Sequence, residues 1–338
     1  MKAVAITGVR QAELIDLPEP HARGHWVVVK VHTAPMCTEY KAWLAGAPTQ
    51  NLGHEAVGEV VEVAQPGRLH VGDRVVVMPL YACGQCQLCL SGDFIHCQNG
   101  TSVEAFTGSP VGSSTYAQYL LKPDWMAPRI PEDMPYDLAG LALCALGPSF
   151  GAMDRMNVTA LDTILITGLG PVGLGAVVNA AYRGARVIAM DSVPFRAAYA
   201  RRLGAETVLD PNDTQALQAV LELTTGLGVD KALDCSGTVA AQRFCLDAVR
   251  RRGQVAFVGE CNEPLELIVS PDLLRKGIAV LGSWHYNLNL YPQVLQVIRR
   301  SPVAAQLISH TFPLSQVQQA LALSATHETA KIMLHPWE

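Results

Sequence analysis

The stretch TILITGLGPVGLGAVVNAAYRGARVIAMD, residues 163–191, decides the fold of this chain. The apolar run ILIT leads directly into a G-x-G-x-x-G pattern formed by Gly168, Gly170 and Gly173, and a helix of small apolar residues follows. The next strand, ARVIAMD, ends in Asp191, 18 positions beyond Gly173. The glycine pattern alone is a weak signal, but strand, turn, helix and terminal acid together predict a nucleotide-binding βαβ unit.

The turn also indicates which nucleotide binds. Glycines let the backbone approach a pyrophosphate, whose charge meets the amino terminus of the helix. Asp191 can accept hydrogen bonds from ribose hydroxyls and would repel a phosphate there, which favours NAD over NADP; Arg196 keeps NADP as the alternative, and a packing turn without ligand is another. We expect the cofactor to contact Gly168, Gly170, Pro171, Val172, Gly173, Asp191, Arg196, Ser236, Val258 and Gly259.

Residues 163–181 carry no charge and are long enough to suggest a membrane span, but four glycines and Pro171 interrupt them. Near the amino terminus, Arg10, Glu13 and Asp16 come too early for the apolar core of a secretory signal. We therefore expect a cytoplasmic protein without membrane association, in which thiols stay reduced.

Composition limits the class of protein further. At 338 residues the chain has the length of about two domains. Charged residues make up 16% and hydrophobic residues 49%, a balance that disfavours disorder. The formal charge of −5, from 25 Lys and Arg against 30 Asp and Glu, and the absence of a basic stripe disfavour a nucleic-acid partner.

The two parts of the chain have different periodicities. Short β-branched runs, Trp26–His32, Ala56–Val63 and Val75–Met78, predict a β-rich first domain. From about Leu161 strands alternate with helices of ten to fifteen residues, which predicts a doubly wound parallel sheet and an α/β fold. We expect one of these helices to run to about Arg252, with Arg250-Arg251-Arg252 as its solvated end, and the tail to return to the first domain.

Cys83, Cys86, Cys89 and Cys97 have the spacing C-x2-C-x2-C-x7-C. Such short intervals let thiolates converge on one ion, and four sulfurs complete a tetrahedral zinc shell. Since no coordination position stays open, we predict a structural zinc; an iron–sulfur cluster or unrelated cysteines are the alternatives.

Outside this group, Cys37, His54 and Cys144 stand out. Two cysteines and one histidine are a known ligand set for a catalytic zinc that keeps one position open. Each residue also has an ordinary interpretation, since Cys144 in LALCALG suits a core and His54 could be a buried, hydrogen-bonded histidine.

The motifs together resemble the zinc-containing medium-chain dehydrogenase family, which includes alcohol, sorbitol and threonine dehydrogenases. GHEAVGEV, GDRVVV, the four-cysteine lobe, GLGPVG and TAKIML occur in the family's order along nearly the whole chain. The resemblance implies a GroES-like catalytic domain over 1–148 with 284–338, with a structural-zinc lobe at about 81–100. A Rossmann NAD-binding domain over 149–283 is implied between these segments.

By the same resemblance, Cys37, His54 and Cys144 are the catalytic zinc ligands and Glu55 is a neighbouring carboxylate that can also ligate the metal. Polyol and threonine branches usually have Glu where Cys144 stands. Members usually read Cys, any residue, Ser or Thr, then Asp or Glu, whereas here Thr38 follows Cys37 at once. Either one residue is deleted and Thr38 supplies the relay hydroxyl, which we favour, or Glu39 and Tyr40 occupy the relay positions.

The implied enzyme holds two zinc ions per chain and transfers a hydride between NAD and a secondary alcohol, polyol or sugar-like alcohol, with a ketone or aldehyde in reverse. A zinc-independent NAD(P)H reductase on the same fold and a non-catalytic nucleotide-binding protein are the competing hypotheses. Relatives assemble as dimers or tetramers, so we expect a homodimer or homotetramer.

Overall fold

A computed structural model describes residues 1–338, which form two compact units. The first unit comprises Met1–Leu143, Asn287–Tyr291 and Ile308–Glu338, and the second comprises Cys144–Tyr286 and Pro292–Leu307. None of the helices combines the length and the apolar character needed to cross a membrane.

Fourteen strands and eleven α-helices make up the two units. The strands are β1 (Lys2–Gly8), β2 (Gln11–Asp16), β3 (Trp26–Pro35), β4 (Ala56–Glu62), β5 (Arg74–Val77), β6 (Tyr119–Pro123), β7 (Thr163–Thr167), β8 (Arg186–Met190), β9 (Thr207–Leu209), β10 (Val229–Asp234), β11 (Val249–Phe257), β12 (Ala279–Gly282), β13 (Ile308–Pro313) and β14 (Lys331–His335). The helices are α1 (Glu39–Ala45), α2 (Gln87–Leu90), α3 (Val103–Thr107), α4 (Tyr136–Gly140), α5 (Gly147–Arg155), α6 (Pro171–Tyr182), α7 (Pro194–Leu203), α8 (Ala216–Leu223), α9 (Val239–Ala248), α10 (Tyr291–Arg300) and α11 (Val317–Ser324).

The first unit is built on a mixed sheet with the order β13-β14-β3-β4-β5, in which β6 also pairs with β3. The long strand β3 shows the period-2 pattern of a sheet with two different faces. Val27, Val29 and Val31 enter the main core of the unit, while Trp26 and Val28 pack on the opposite side. The tail strand β14 pairs antiparallel with β3, so it belongs to this unit.

The second unit is a six-stranded sheet with the order β12-β11-β10-β7-β8-β9, and its paired strands are all parallel. Helices connect most of these strands, as parallel pairing requires. Because such a sheet is covered on both faces, its central strands are continuous apolar runs rather than alternating ones. Ile164, Leu165 and Ile166 in β7 are fully buried, which accounts for the uncharged run seen in the sequence.

One predicted element is wrong. The helix expected to run to about Arg252 ends at Ala248, and Arg250, Arg251 and Arg252 lie in β11 instead of at a helix end. Val249 is already extended and pairs with Val229, and an irregularity in register after this pair accommodates the arginines. The Arg250 Nε lies 2.6 Å from Asp230 Oδ1, so an ion pair holds the strand where a helical continuation was expected.

Candidate functional site

The four cysteines of the predicted structural site converge. Sγ–Sγ distances are 3.5 Å for Cys86–Cys89 and 3.9 Å for both Cys83–Cys89 and Cys86–Cys97. Sulfurs about 2.3 Å from a tetrahedral zinc lie about 3.8 Å apart, whereas a disulfide requires about 2.0 Å. All four cysteines are free thiols, and their donor atoms lie within 4.8 Å of one another. This donor set therefore fits a zinc ion.

The segment that carries these cysteines is held by side-chain and main-chain hydrogen bonds from Asn287 and Leu288. The Asn287 side chain donates to Ser91 O and to Asp93 Oδ1, both at 2.9 Å, and Leu288 N–H donates to Gly92 O at 2.8 Å. At the start of the segment, the buried Lys122 ammonium donates to Leu80 O. The sequence indicated neither anchor, because each joins residues far apart in the chain.

A second group brings together Cys37, His54, Glu55 and Cys144, one donor atom of each lying within 4.8 Å of the others. Cys37 follows the end of β3, His54 and Glu55 precede β4, and Cys144 lies in the turn between α4 and α5. Cys144 and Glu55 are buried. The predicted third ligand is therefore close to the other two although almost 90 residues separate it from Glu55.

Glu39 orients His54. Its Oε1 lies 2.8 Å from His54 Nδ1, which leaves Nε2 as the ring nitrogen on the side of the Glu55 carboxylate, 3.7 Å away. A ligating histidine usually engages its other ring nitrogen in this way. Burial favours the neutral forms of both groups, but their mutual attraction outweighs it, lowering the pKa of Glu39 and raising that of His54. Two thiols and an imidazole held in this orientation fit a zinc ion.

Glu55 forms a buried ion pair with the tail. The Lys331 Nζ in β14 lies 2.6 Å from Glu55 Oε1, and both side chains are inaccessible to solvent. Burial raises the pKa of Glu55, and the lysine opposes this shift. The lysine thus compensates the negative charge of a carboxylate that would otherwise lie uncompensated beside two thiols.

The three candidates for a proton relay have distinct environments. Glu39 is buried and engaged with His54, and the ring of Tyr40 packs edge-on against His327 at a centroid distance of 5.5 Å. Thr38, at the start of α1, is exposed, and its hydroxyl oxygen accepts no capping hydrogen bond from the N–H groups of the helix.

All predicted cofactor residues of the second unit lie at or beyond the carboxyl ends of neighbouring parallel strands. Gly168, Gly170, Pro171, Val172 and Gly173 follow β7, Asp191 and Arg196 follow β8, Ser236 follows β10, and Val258 and Gly259 follow β11. Ligands of open parallel sheets bind at this edge. A Cβ built on Gly168 would come within 2.5 Å of the Ser236 Cα, so these two turns are in close contact.

Asp191 also stabilises the protein's own main chain. Its Oδ2 accepts from Leu169 N–H at 2.6 Å and its Oδ1 accepts from Val193 N–H at 2.8 Å. The carboxylate therefore braces the glycine turn and the start of α7. Arg196 Nη1 lies 4.0 Å from Asp191 Oδ2, so the two residues weighed in cofactor choice are neighbours.

Sequence reasoning missed Asp234, which is fully buried at the end of β10. Its Oδ1 accepts from the Thr167 hydroxyl at 2.9 Å and from the Ser236 hydroxyl at 2.7 Å, and its main-chain oxygen accepts from Val258 and Gly259 N–H. One residue thus joins the ends of three strands. An acid directly before Cys-Ser-Gly at a strand end was the available signal.

Comparison with known proteins places both units in one family. Residues 23–132 match the model for the alcohol dehydrogenase GroES-like domain, and residues 171–300 match the model for zinc-binding dehydrogenase. L-threonine 3-dehydrogenase from Symbiobacterium thermophilum is 30% identical over 96% of this chain and 94% of that protein. Sorbitol dehydrogenase from Bacillus subtilis is 29% identical over 99% of this chain and 97% of that protein.

The solved structure of alcohol dehydrogenase TADH from Thermus sp. ATN1 superimposes with a TM-score of 0.89, at 24% identity and 99% coverage of both chains. The GroES-like and Rossmann fold class predicted from the sequence is confirmed. The chain therefore belongs to the zinc-type medium-chain alcohol and polyol dehydrogenase family, and it is an oxidoreductase of a family that typically uses NAD.

Proposed function

We propose that the protein transfers a hydride between NAD and a secondary alcohol, polyol or sugar-like alcohol, and reduces the corresponding ketone or aldehyde in reverse. The observation that supports this most strongly is the convergence of Cys37, His54, Glu55 and Cys144, in addition to a separate group of four cysteines. The four-cysteine group has the composition of a closed structural site, while the mixed group leaves a position for substrate.

Each residue of the mixed group has a role in this proposal. Cys37, His54 and Cys144 hold zinc, and Glu39 fixes the orientation of His54. Zinc supplies Lewis-acid polarisation of the substrate oxygen when bound, and NAD supplies the hydride acceptor. The exposed Thr38 hydroxyl accepts the proton that leaves the substrate and passes it outward. Lys331 balances the charge of Glu55 and holds this carboxylate in place.

In this proposal, one part of the chain carries the catalytic site and the other binds NAD. We propose a catalytic domain over 1–148 with 284–338 and an NAD-binding domain over 149–283. In the latter, the turn from Gly168 to Gly173 accommodates the pyrophosphate and Asp191 accepts hydrogen bonds from the ribose. Both Asp191 oxygens keep accepting capacity beyond their main-chain bonds, since a carboxylate offers about four lone-pair positions.

The relatives support a secondary alcohol as substrate. L-threonine 3-dehydrogenase and sorbitol dehydrogenase are named for substrates that carry hydroxyl groups on internal carbons. Cys144 distinguishes this chain from the polyol and threonine branches, in which Glu is usual at that place.

We propose that a second copy of the chain pairs with the edge strand β12. This strand ends the parallel sheet, and several apolar side chains on it and in the preceding segment are exposed: Ile268, Val269, Leu274 and Val280. A sheet edge with apolar neighbours favours pairing. Light scattering should give a dimer or tetramer, and a strictly monomeric protein would refute this assembly.

We further propose a cytoplasmic location. All nine cysteines are free, and two groups of them have the geometry of metal ligands rather than of disulfides. Reducing conditions preserve such thiols. Fluorescent fusion or cell fractionation would test the location.

An NAD-reduction assay at 340 nm over polyols, amino alcohols and simple secondary alcohols, combined with zinc analysis, tests the function. We expect about two zinc ions per chain and turnover of at least one class of alcohol. Cys37→Ala should abolish turnover and remove one zinc, whereas Cys261→Ala, a cysteine outside both groups, should change neither. One zinc per chain with NADH-dependent ketone reduction would favour the zinc-independent reductase, and NAD binding without turnover would favour the non-catalytic protein.

A further inference from the structure

We propose that Tyr116 is a positioning residue for the mixed metal group: its hydroxyl fixes the Glu39 carboxylate, which in turn fixes both His54 and the main chain of Cys37. The inference rests on the proposed function, because it assumes that this group holds a metal ion. It goes further by assigning a role to a residue that is not itself a ligand and that lies outside all the motifs of the sequence.

Glu39 has two oxygens, and each is used. Oε1 faces His54 Nδ1 at 2.8 Å. Oε2 accepts two hydrogen bonds, from Cys37 N–H at 2.7 Å and from the Tyr116 hydroxyl at 2.9 Å. A carboxylate with one donor can rotate about its last bonds, but this one is held on both sides. We therefore infer that the Tyr116 hydroxyl limits rotation of the Glu39 carboxylate.

Tyr116 is itself held rigidly. It is fully buried, its N–H donates to Leu52 O at 3.1 Å, and its main-chain oxygen accepts from Val4 N–H at 2.9 Å. Two main-chain bonds, to strand β1 and to the segment before His54, thus determine where the phenol points. Because its main chain is fixed in this way, the Tyr116 hydroxyl can orient Glu39 without moving itself.

The ring of Tyr116 also packs against the turn that carries His54. Gly53 has a φ of +87°, and a Cβ at this position would come within 2.4 Å of the Tyr116 Cδ1. No side chain fits between them, so the ring lies directly on the Gly53–His54 link. Tyr116 therefore contacts Glu39 through its hydroxyl and Gly53, the residue before His54, through its ring.

Glu39 lies two residues after Cys37, and its side chain folds back so that Oε2 accepts from the Cys37 N–H. The Tyr116 hydroxyl donates to the same Glu39 oxygen as this N–H, so it is a second donor that restricts rotation of the carboxylate facing His54.

The experiment measures zinc release from the fully loaded protein into excess chelator with a colorimetric indicator. Tyr116→Phe should accelerate the release of one zinc by up to about 10-fold, the lower end of the range for a direct partner of a metal ligand, because Tyr116 acts through Glu39. The other zinc, held by Cys83, Cys86, Cys89 and Cys97, is an internal reference and should leave at the wild-type rate. Tyr291→Phe removes another buried hydroxyl, which donates to Arg129 O at 3.2 Å, and should change neither rate.

Cobalt substitution provides a readout independent of activity. The visible bands of the cobalt-loaded mixed group should shift in Tyr116→Phe and stay unchanged in Tyr291→Phe. Glu39→Gln serves as a second variant, and we expect it to accelerate the release of the same zinc ion. Because Tyr116 acts through Glu39, the double variant should release zinc little faster than Glu39→Gln alone.

The results separate the possible failures. A single zinc per wild-type chain would reject the proposed function. If the wild type holds two zinc ions, three results would reject the role of Tyr116 and leave the proposed function intact. Tyr116→Phe could release zinc at the wild-type rate, or it could accelerate the release of both ions equally. The third result is that the effects of Tyr116→Phe and Glu39→Gln on the release rate add in the double variant.

Discussion

Lys331 and Glu55 form an ion pair at 2.6 Å with both side chains fully buried, although 276 residues separate them in the chain. Removing one partner of a buried pair leaves an uncompensated charge, which costs about 3–5 kcal/mol. Lys331→Met should therefore lower the free energy of unfolding of the first unit by this amount in a denaturant titration. The double variant Glu55→Gln, Lys331→Met should lose distinctly less free energy of unfolding than Lys331→Met alone. An equal or greater loss of stability would contradict a pairwise interaction.

The two cysteine groups should respond differently to substitution. Cys83→Ser should remove one zinc and expose the segment at residues 81–100 to proteolysis, because the ion replaces a local core. Cys144→Ser should remove the other zinc and lower kcat/KM by more than about 100-fold, since even outer partners of ligands contribute 10- to 100-fold. Metal analysis and limited proteolysis of both variants check this. Loss of the same zinc from both would show that the groups are not independent.

Asp191 should control the choice of cofactor. Asp191→Asn removes the charge that accepts from the ribose and repels a phosphate, while keeping one oxygen that can accept from Leu169 or Val193. A hydrogen bond to a charged group contributes about 1.5–3 kcal/mol, so KM for NAD should rise roughly 10- to 100-fold. The KM for NADP should fall, because Arg196 then faces the phosphate alone. Equal increases for both cofactors would indicate that Asp191 only braces the turn.

His335 should make stability depend on pH. Its ring lies 3.0 Å from Asp137 Oδ1, and this hydrogen bond raises the pKa of His335 above 6.5. Burial opposes ionisation of Asp137, but bonds from His335 and Thr33 outweigh it and lower the pKa of Asp137 below 3.8. The stabilisation is present in full below pH 6.5, once Asp137 is ionised, and is lost as pH rises through the raised pKa of His335.

The test compares thermal unfolding of the zinc-loaded wild type and His335→Gln from pH 5 to pH 9. We expect an advantage of about 1 kcal/mol or less for the wild type at the acidic end, because the pair is partly solvated. That advantage should shrink toward alkaline pH. A constant or growing difference would contradict the direction of the pKa shift.

Local patterns made much of the fold predictable. The glycine turn, β7, α6 and Asp191 follow one another within 29 residues, so their relation is written in a single stretch of sequence. The four cysteines lie within 15 residues, and short spacing alone forces their thiols together. Where the geometry of an element or site depends on residues that are close in the chain, periodicity and spacing are sufficient to predict it.

The contacts that sequence reasoning missed depend on distant segments. Tyr116 reaches Glu39 across 77 positions, and Asp234 reaches Thr167 across 67. Nothing near Tyr116 in SSTYAQYL marks it as part of a metal site. The charges of the three arginines suit a solvated helix end, yet the pairing of Val249 with Val229 places them in a strand. Tertiary pairing decided the element, and local preference did not.

The position of β14 also determines an order of events during protein synthesis. The ribosome adds about 5–20 residues per second, so the 276 residues between Glu55 and Lys331 take roughly 14–55 s to make. Throughout that interval the first unit lacks the strand that pairs with the end of β3 and the cation that compensates Glu55. The Rossmann sheet, complete by Gly282, can therefore finish folding on the ribosome first, and nascent chains should expose the unfinished first unit to chaperones until the tail emerges.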